Sequence, residues 1–268
     1  MRFNMKSGNF SHASSSTLYK KSQHIVWDFG SNNNSSSFYI DSDFYKGIIE
    51  KNDGKRKFLW GLESRFFNHS FHEHIKDNLE NILETYEYIF TYDEELLLLD
   101  SKFKWVPAMG TWIDSPGVRD KSKNVSMITS AKTFSPDQIF RVDFANSHSD
   151  KIDLFGGITK KLENKEEALD DYMFSVAIEN DVRDTYFTEK ILDCFATGTV
   201  PIYRGTLKIS EFFNPEGIVF LQDGKFPTLS EEFYYSKKEA IHENLERVLD
   251  FNTIEDWMFT NYKEIFTN

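Results

Sequence analysis

The chain of 268 residues has one cysteine, Cys194, so no intrachain disulfide can staple it. Proline is scarce, at 6 residues, which leaves room for regular elements. Positive charge is outnumbered: 31 Lys and Arg against 43 Asp and Glu give a net charge of −12. That balance argues against general binding to nucleic acid or to an anionic membrane. No apolar run approaches the length of a membrane span, and the longest in the first half, Leu96–Leu99, is bounded by acidic residues. Neither a Walker loop nor a GxGxxG string occurs, so any phosphate site must rest on side chains and a helix end. Residues Met1 to Gln23 are polar, with no apolar stretch of the kind a secretion signal needs. A disordered leader over 1–22 and a cytoplasmic protein are the expectations.

What is abundant is apolar and aromatic mass. Hydrophobic residues are 40% and aromatics 16%, enough for a packed core and against wholesale disorder. Periodicity then alternates. Strands are expected at 24–30, 57–62, 88–91 and 103–107, with a polar loop at 32–37 and helices at 43–50 and 70–86. Asp114-Ser115-Pro116-Gly117 breaks the pattern and reads as a linker. Beyond it, strands are expected at 124–129, 151–155, 174–178, 200–203 and 218–221. Helices are expected at 137–145, from 165, at 188–196, 236–250 and 255–266. Strands alternating with helices imply parallel sheets. The reading is α/β: two Rossmann-like domains facing a cleft, 23–116 and 117–268, with the last helix able to pack back on the first domain. Ligands in such folds lie at the carboxyl ends of the strands.

The densest chemistry lies after the apolar strand Phe174–Ile178. Glu179 and Asn180 emerge at its carboxyl end, and Thr188 is a candidate N-cap for a helix with Glu189 and Lys190 in its first turn. A helix N-terminus suits a phosphate, and a lysine there is useful when a diphosphate is bound. Asp41-Ser42-Asp43 reads as the N-cap region of the helix at 43–50. His69, His72 and His74 beside Glu73 lack zinc-ligand spacing and read as a polar first helical turn. Cys194, beside Phe195 on the apolar stripe, reads as core.

The string Glu179-Asn180-x5-Tyr186-Phe187-Thr188-Glu189-Lys190-Ile191, followed by Val200-Pro201-Ile202-Tyr203-x-Gly205, resembles the C-terminal signature of family 10 glycosyltransferases, the α-1,3/4-fucosyltransferases. Phe174 supplies the family's leading Phe. Weaker likenesses run upstream, at Phe140-Arg141-Val142, Asp153-Leu154-Phe155-Gly156 and Gly61-Leu62-Glu63-Ser64. The resemblance implies a GT-B fold and an inverting transfer of L-fucose from GDP-fucose to a hydroxyl of a glycan, with no metal and no other cofactor. It implies Glu63 as general base and Arg141 and Lys190 as the cations on the diphosphate. It also implies Glu189 on the ribose or sugar, Glu179 facing the transferred sugar, and Asn180, Tyr186 and Thr188 at the donor pocket. Arg65 stands where the family usually has proline. Two alternatives stay open: another nucleotide sugar on the same scaffold, or an inactive binder. An Asp-x-Asp metal site at Asp41 and Asp43, as in glycosyltransferases of the other common fold, is the rival arrangement.

Overall fold

The structure, a computed structural model, describes residues 1–7, 14–157, 159–183, 185–221 and 224–267. The chain divides into two compact units. One comprises Met1–Gly110, Asp184–Tyr186 and Asn252–Asn268; the other comprises Thr111–Arg183 and Phe187–Phe251. The division falls at Gly110/Thr111, ahead of Asp114–Gly117. Thr111–Ile113 is already tied into the second unit: Thr111 N–H donates to Phe251 O at 2.8 Å, and Trp112 N–H to the Asp193 carboxylate at 2.7 Å.

The first unit is built on six parallel strands, β1 (Arg2–Met5), β2 (Val26–Phe29), β3 (Ser36–Ile40), β4 (Arg56–Trp60), β5 (Tyr88–Thr91) and β6 (Phe103–Trp105), in the order β2-β1-β3-β4-β5-β6. Its helices are α1 (Phe44–Ile49), α2 (His69–Asp77), α3 (Leu79–Thr85) and α4 (Glu94–Leu97). The central strands β3, β4 and β5 present apolar side chains to both faces, as a covered parallel sheet demands. Phe3, Phe38, Phe58 and Phe90 fill one side, where Ile254, Met258 and Phe266 from the end of the chain close the layer. Tyr39, Leu59 and Ile89 fill the other, under α1 to α4.

Three expectations fail here. Residues 2–5 are not part of a disordered leader: β1 lies between β2 and β3, with Phe3, Asn4 and Met5 buried. The polar Asn4 is tolerated because its amide donates to Ser36 O and Ser37 Oγ. The stretch from 14 to 22 is also anchored. The N–H and hydroxyl of Ser16 donate to the buried Glu255 carboxylate at 2.6 and 2.9 Å, and the indole of Trp27 donates to the same group at 2.9 Å. The polar loop expected at 32–37 ends early, because β3 begins at Ser36. The helix expected at 70–86 is two helices, broken at Asn78.

The second unit has five parallel strands, β7 (Lys123–Ile128), β8 (Asp153–Phe155), β9 (Tyr172–Ile178), β10 (Val200–Arg204) and β11 (Val219–Phe220), in the order β11-β10-β9-β7-β8. Its helices are α5 (Pro136–Ser147), α6 (Glu189–Thr197), α7 (Glu231–Ser236) and α8 (Lys238–Val248). The last two helices of the chain, α9 (Ile254–Asn261) and α10 (Lys263–Thr267), lie in the first unit. The segment expected to begin a helix at 165 is a short 3-10 turn. The single helices expected at 236–250 and 255–266 are each interrupted.

In this order the first and third strands of the unit, β7 and β9, are neighbours, and the connections leave them in opposite directions. That is a topological switch point, where the carboxyl ends of the strands open a crevice. No helix among the described residues is long and apolar enough to cross a membrane.

Candidate functional site

The crevice at the switch point holds a cavity of about 410 Å³. Its walls come from the end of β7 (Ile128, Thr129), the end of β9 (Ile178, Asn180), the first two turns of α5 (Gln138, Arg141), the first turn of α6 (Glu189, Lys190), and Lys165. Gly156 and Gly157 after β8 close it. Gly156 has φ +90°, and a Cβ there would stand 2.4 Å from Thr129 O, so only glycine lets the two strand ends meet.

Each helix enters with its own cap. Ser135 Oγ accepts the N–H of Gln138 at 3.1 Å, Pro136 occupies the first helical position, and the turn aims Arg141 inward. Arg141 is buried and donates to Asn180 Oδ1 at 2.8 Å, which fixes its guanidinium at the carboxyl end of β9. Thr188 caps α6, and Gly198 ends it in the left-handed conformation.

Glu179 stands behind the cap. It is 0% exposed and accepts from Thr188 N at 2.9 Å, Thr188 Oγ1 at 2.7 Å and Lys190 Nζ at 3.3 Å. A buried carboxylate so fully satisfied is a latch for the start of α6. It does not line the cavity, so the expectation that it faces a sugar is replaced by this inward role. Thr188 is turned inward with it. Tyr186 also lies away from the cavity: it belongs to the first unit, where it packs on Tyr92 at 5.0 Å.

Sequence reasoning missed a second group on the cavity wall. Lys165 Nζ lies 2.7 Å from Asp193 Oδ2 and 3.5 Å from Glu189 Oε1, with its ammonium 4.1 Å from the ring centre of Trp112. Asp193 also accepts from Thr111 Oγ1 at 2.8 Å. A signal was there. Glu189 and Asp193 are four apart on one helix face, a like-charge pair that disfavours the helix unless a cation bridges it. Burial would push the Glu189 carboxyl up, but the ammoniums of Lys190 and Lys165 outweigh it and hold the group at about 2. Burial would lower Lys165, yet Asp193 and Glu189 keep it above the ordinary lysine value. Burial raises Asp193. The Nε1–H of Trp112 is buried at the cavity edge without an acceptor among the described residues.

The cavity wall therefore carries Lys132, Arg141, Lys165 and Lys190 against Glu189 and Asp193. In a chain of net charge −12 this is a local positive excess, suited to an anion. Cys194 is buried on the inner side of α6, and burial pushes its thiol up to about 12, as a core residue requires.

Glu63 lies in the first unit, after β4, exposed on the loop that enters α2. Its Oε1 accepts the N–H of Ser64 at 2.7 Å, and its carbonyl accepts the Tyr92 hydroxyl at 3.0 Å. Asp41 does not pair with Asp43 toward solvent as a metal site would: its Oδ1 accepts from Leu62 N and from Asn68 Nδ2, both at 2.8 Å. His72 is buried, with Nε2 3.5 Å from both Asp93 and Glu95, so the polar first turn expected around it is partly core. Among the described residues no group of three or more His, Cys, Asp or Glu could hold a metal ion.

The fold is α/β with two parallel sheets, that of the GT-B class. Residues 118–239 match the model of the C-terminal domain of glycosyltransferase family 10 (fucosyltransferase). The chain is 36% identical over 83 residues to the alpha-(1,3)-fucosyltransferase FucT of Helicobacter pylori, a match covering 31% of this chain and 17% of that protein. Its fold is that of a crystal structure of alpha1,3-fucosyltransferase, with TM-score 0.51 and 16% identity, covering 100% of this chain and 90% of that one. It is likewise similar to a crystal structure of alpha1,3-fucosyltransferase with GDP-fucose, with TM-score 0.50 and 18% identity over 91% and 81% of the two chains.

Proposed function

We propose that this chain is a metal-independent, inverting fucosyltransferase that moves L-fucose from GDP-fucose to a hydroxyl of a glycan. The observation that carries the reading is the switch-point cavity, where Arg141 and Lys190 stand over the start of α6 within the matched family domain. The solved relative with GDP-fucose supports the choice of donor.

Breaking the bond between fucose and GDP leaves negative charge on the diphosphate as the sugar takes on oxocarbenium character. Positioned cations stabilise that charge more than they stabilise the bound donor. Arg141, oriented by Asn180, and Lys190, held against Glu179, serve as those cations. Glu189, ionised throughout the neutral range, accepts hydroxyls of the ribose or the sugar. Glu63 takes the proton of the attacking hydroxyl on the opposite face, which inverts the anomeric centre.

The test is a thermal-shift titration with GDP, GDP-fucose, GDP-mannose, UDP and UDP-glucose, with and without EDTA. A ligand at about 100 times its Kd stabilises by about 2.7 kcal/mol. A shift selective for GDP and GDP-fucose and insensitive to EDTA is expected. A shift only with uridine nucleotides, or one abolished by EDTA, overturns the donor assignment.

A further inference from the structure

The two carboxylates of Asp41-Ser42-Asp43 turn to different tasks. Asp43 pairs with Lys46 of α1 at 2.7 Å. Asp41 reaches across to the neighbouring strand. β3 and β4 lie side by side and end in register, with Ile40 opposite Trp60. Gly61 N–H still bonds Phe90 O of β5 at 2.9 Å. Beyond Gly61 the chain leaves the sheet, and its N–H groups need other acceptors. Asp41 Oδ1 serves as one, accepting from Leu62 N at 2.8 Å and from Glu63 N at 3.4 Å. It also accepts from Asn68 Nδ2 at 2.8 Å, just ahead of α2. One oxygen thus holds both ends of the segment 62–68. Asp41 stands at φ 49°, a left-handed backbone that aspartate tolerates better than most side chains.

The rest of the segment is fastened too. The Tyr92 hydroxyl donates to Glu63 O at 3.0 Å. Ser64 O accepts the N–H of Phe67 at 3.0 Å and of Asn68 at 2.9 Å, which closes the turn. Arg65 forms a two-pronged pair with Glu95, both bonds 2.8 Å. Glu63 is exposed between the half-buried Leu62 and the buried Ser64. Its backbone is pinned at both its N–H and its carbonyl, while its side chain stays in solvent.

That is how a proton acceptor has to be mounted. A general base must stand within hydrogen-bond reach of the hydroxyl it deprotonates, and a small misplacement costs rate rather than donor binding. A hydrogen bond from a backbone N–H to an ionised carboxylate is stronger than one to a neutral acceptor, which suits Asp41 to fixing a backbone. We propose that Asp41 is a positioning residue for the transfer: through the N–H groups of Leu62 and Glu63 it sets where the Glu63 carboxylate stands. This rests on Glu63 being the general base of the transfer proposed above.

The experiment follows GDP-fucose turnover by the full chain at pH 8, above the value of about 7 to which burial raises the Asp41 carboxyl. The acceptors are oligosaccharides ending in β-galactose or N-acetylglucosamine, and the one turned over fastest is used. Asp41→Ala should lower kcat by about tenfold or more, with the GDP-fucose KM and the GDP-induced thermal shift unchanged. Asp41→Gly accepts the left-handed backbone but lacks the oxygen, and should fall as far. Asp41→Asn keeps the oxygen and should restore kcat. In a Glu63→Gln background, Asp41→Ala should lower the residual rate no further, because a residue that acts only through Glu63 has nothing left to act on. Wild-type kcat in Asp41→Ala or Asp41→Gly overturns the proposal, as does a loss in Asp41→Asn equal to that in Asp41→Ala. A further loss in the Glu63→Gln background also overturns it, since that marks general damage to the fold. Wild-type kcat in Glu63→Gln itself, or a wild type that binds GDP-fucose and fucosylates none of these sugars, removes the base and the proposal with it. Failure to bind GDP-fucose at all defeats the transferase reading as a whole.

Discussion

Asp41, in the left-handed conformation at φ 49°, accepts the backbone N–H of Leu62 at 2.8 Å. The residue after β3 thereby sets the position of the loop after β4, one residue ahead of Glu63. Burial raises the Asp41 carboxyl to about 7, against the backbone N–H groups that favour its ionised form. A carboxyl raised on folding binds its proton more tightly in the folded state. Its contribution to stability is therefore full below its unfolded value of about 4 and falls as pH rises toward 7, by up to about 1.4 kcal/mol per pH unit. Asp41→Asn keeps an oxygen for Leu62 and removes the titration. Its melting temperature should match wild type near pH 4 and exceed it at pH 8, read by calorimetry across that range. Equal curves at both ends would show that Asp41 does not titrate there.

Lys190→Ala should weaken GDP binding by roughly tenfold or more, because a diphosphate loses a cation. It should also destabilise the fold, because Glu179 is left buried with one donor fewer. Pairing it with Glu179→Gln separates the two effects. The double variant should recover melting temperature and not GDP affinity, as measured by calorimetric titration. Recovery of affinity in the double variant would remove Lys190 from the donor site.

Lys165→Met leaves Glu189 and Asp193 facing one another without their bridge. Breaking a buried ion pair from one side costs on the order of 3 kcal/mol. Denaturant unfolding should show that loss at pH 7, and the loss should shrink at acidic pH as the carboxylates protonate. An unchanged midpoint would mean that the lysine contributes no net stability.

Gly156→Ala should destabilise the second unit by about 2 kcal/mol, combining a left-handed backbone with a clash at Thr129 O. GDP affinity should fall with it, since the displaced backbone walls the cavity. Wild-type stability and affinity in this variant would contradict the close approach.

The second unit was the more legible in sequence. Asn180, Glu189 and Lys190 come from the contiguous run from β9 into α6, so spacing along the chain reports their spacing in the fold. Thr188 as cap and Gly198 as stop follow from local rules of helix ends, whereas Arg141 at the cavity was implied only by the family resemblance. Lys165 was not legible, because it reaches α6 from a turn 24 residues before Glu189, and only the Glu189–Asp193 repulsion hinted that a cation was needed. The direction of Glu179 was not legible either. A polar residue at a strand end can face the crevice or the helix behind it, and the orphan N–H of Thr188 decides the matter. In the first unit, β1 escaped notice because its apolar content is two residues, Phe3 and Met5, flanking an asparagine whose hydrogen bonds become visible only beside β3.

The first core includes Ile254, Met258, Ile265 and Phe266, yet its strands end at Trp105. A ribosome delivers β1 to β6 well before those four side chains. The nascent sheet must therefore wait, one apolar face uncovered, while residues 111–251 are made. The second unit, Thr111–Arg183 and Phe187–Phe251, is complete in sequence before those four side chains are made. The order of completion is the reverse of the order of synthesis, and chaperone dependence of this protein would be concentrated in its earliest-made half.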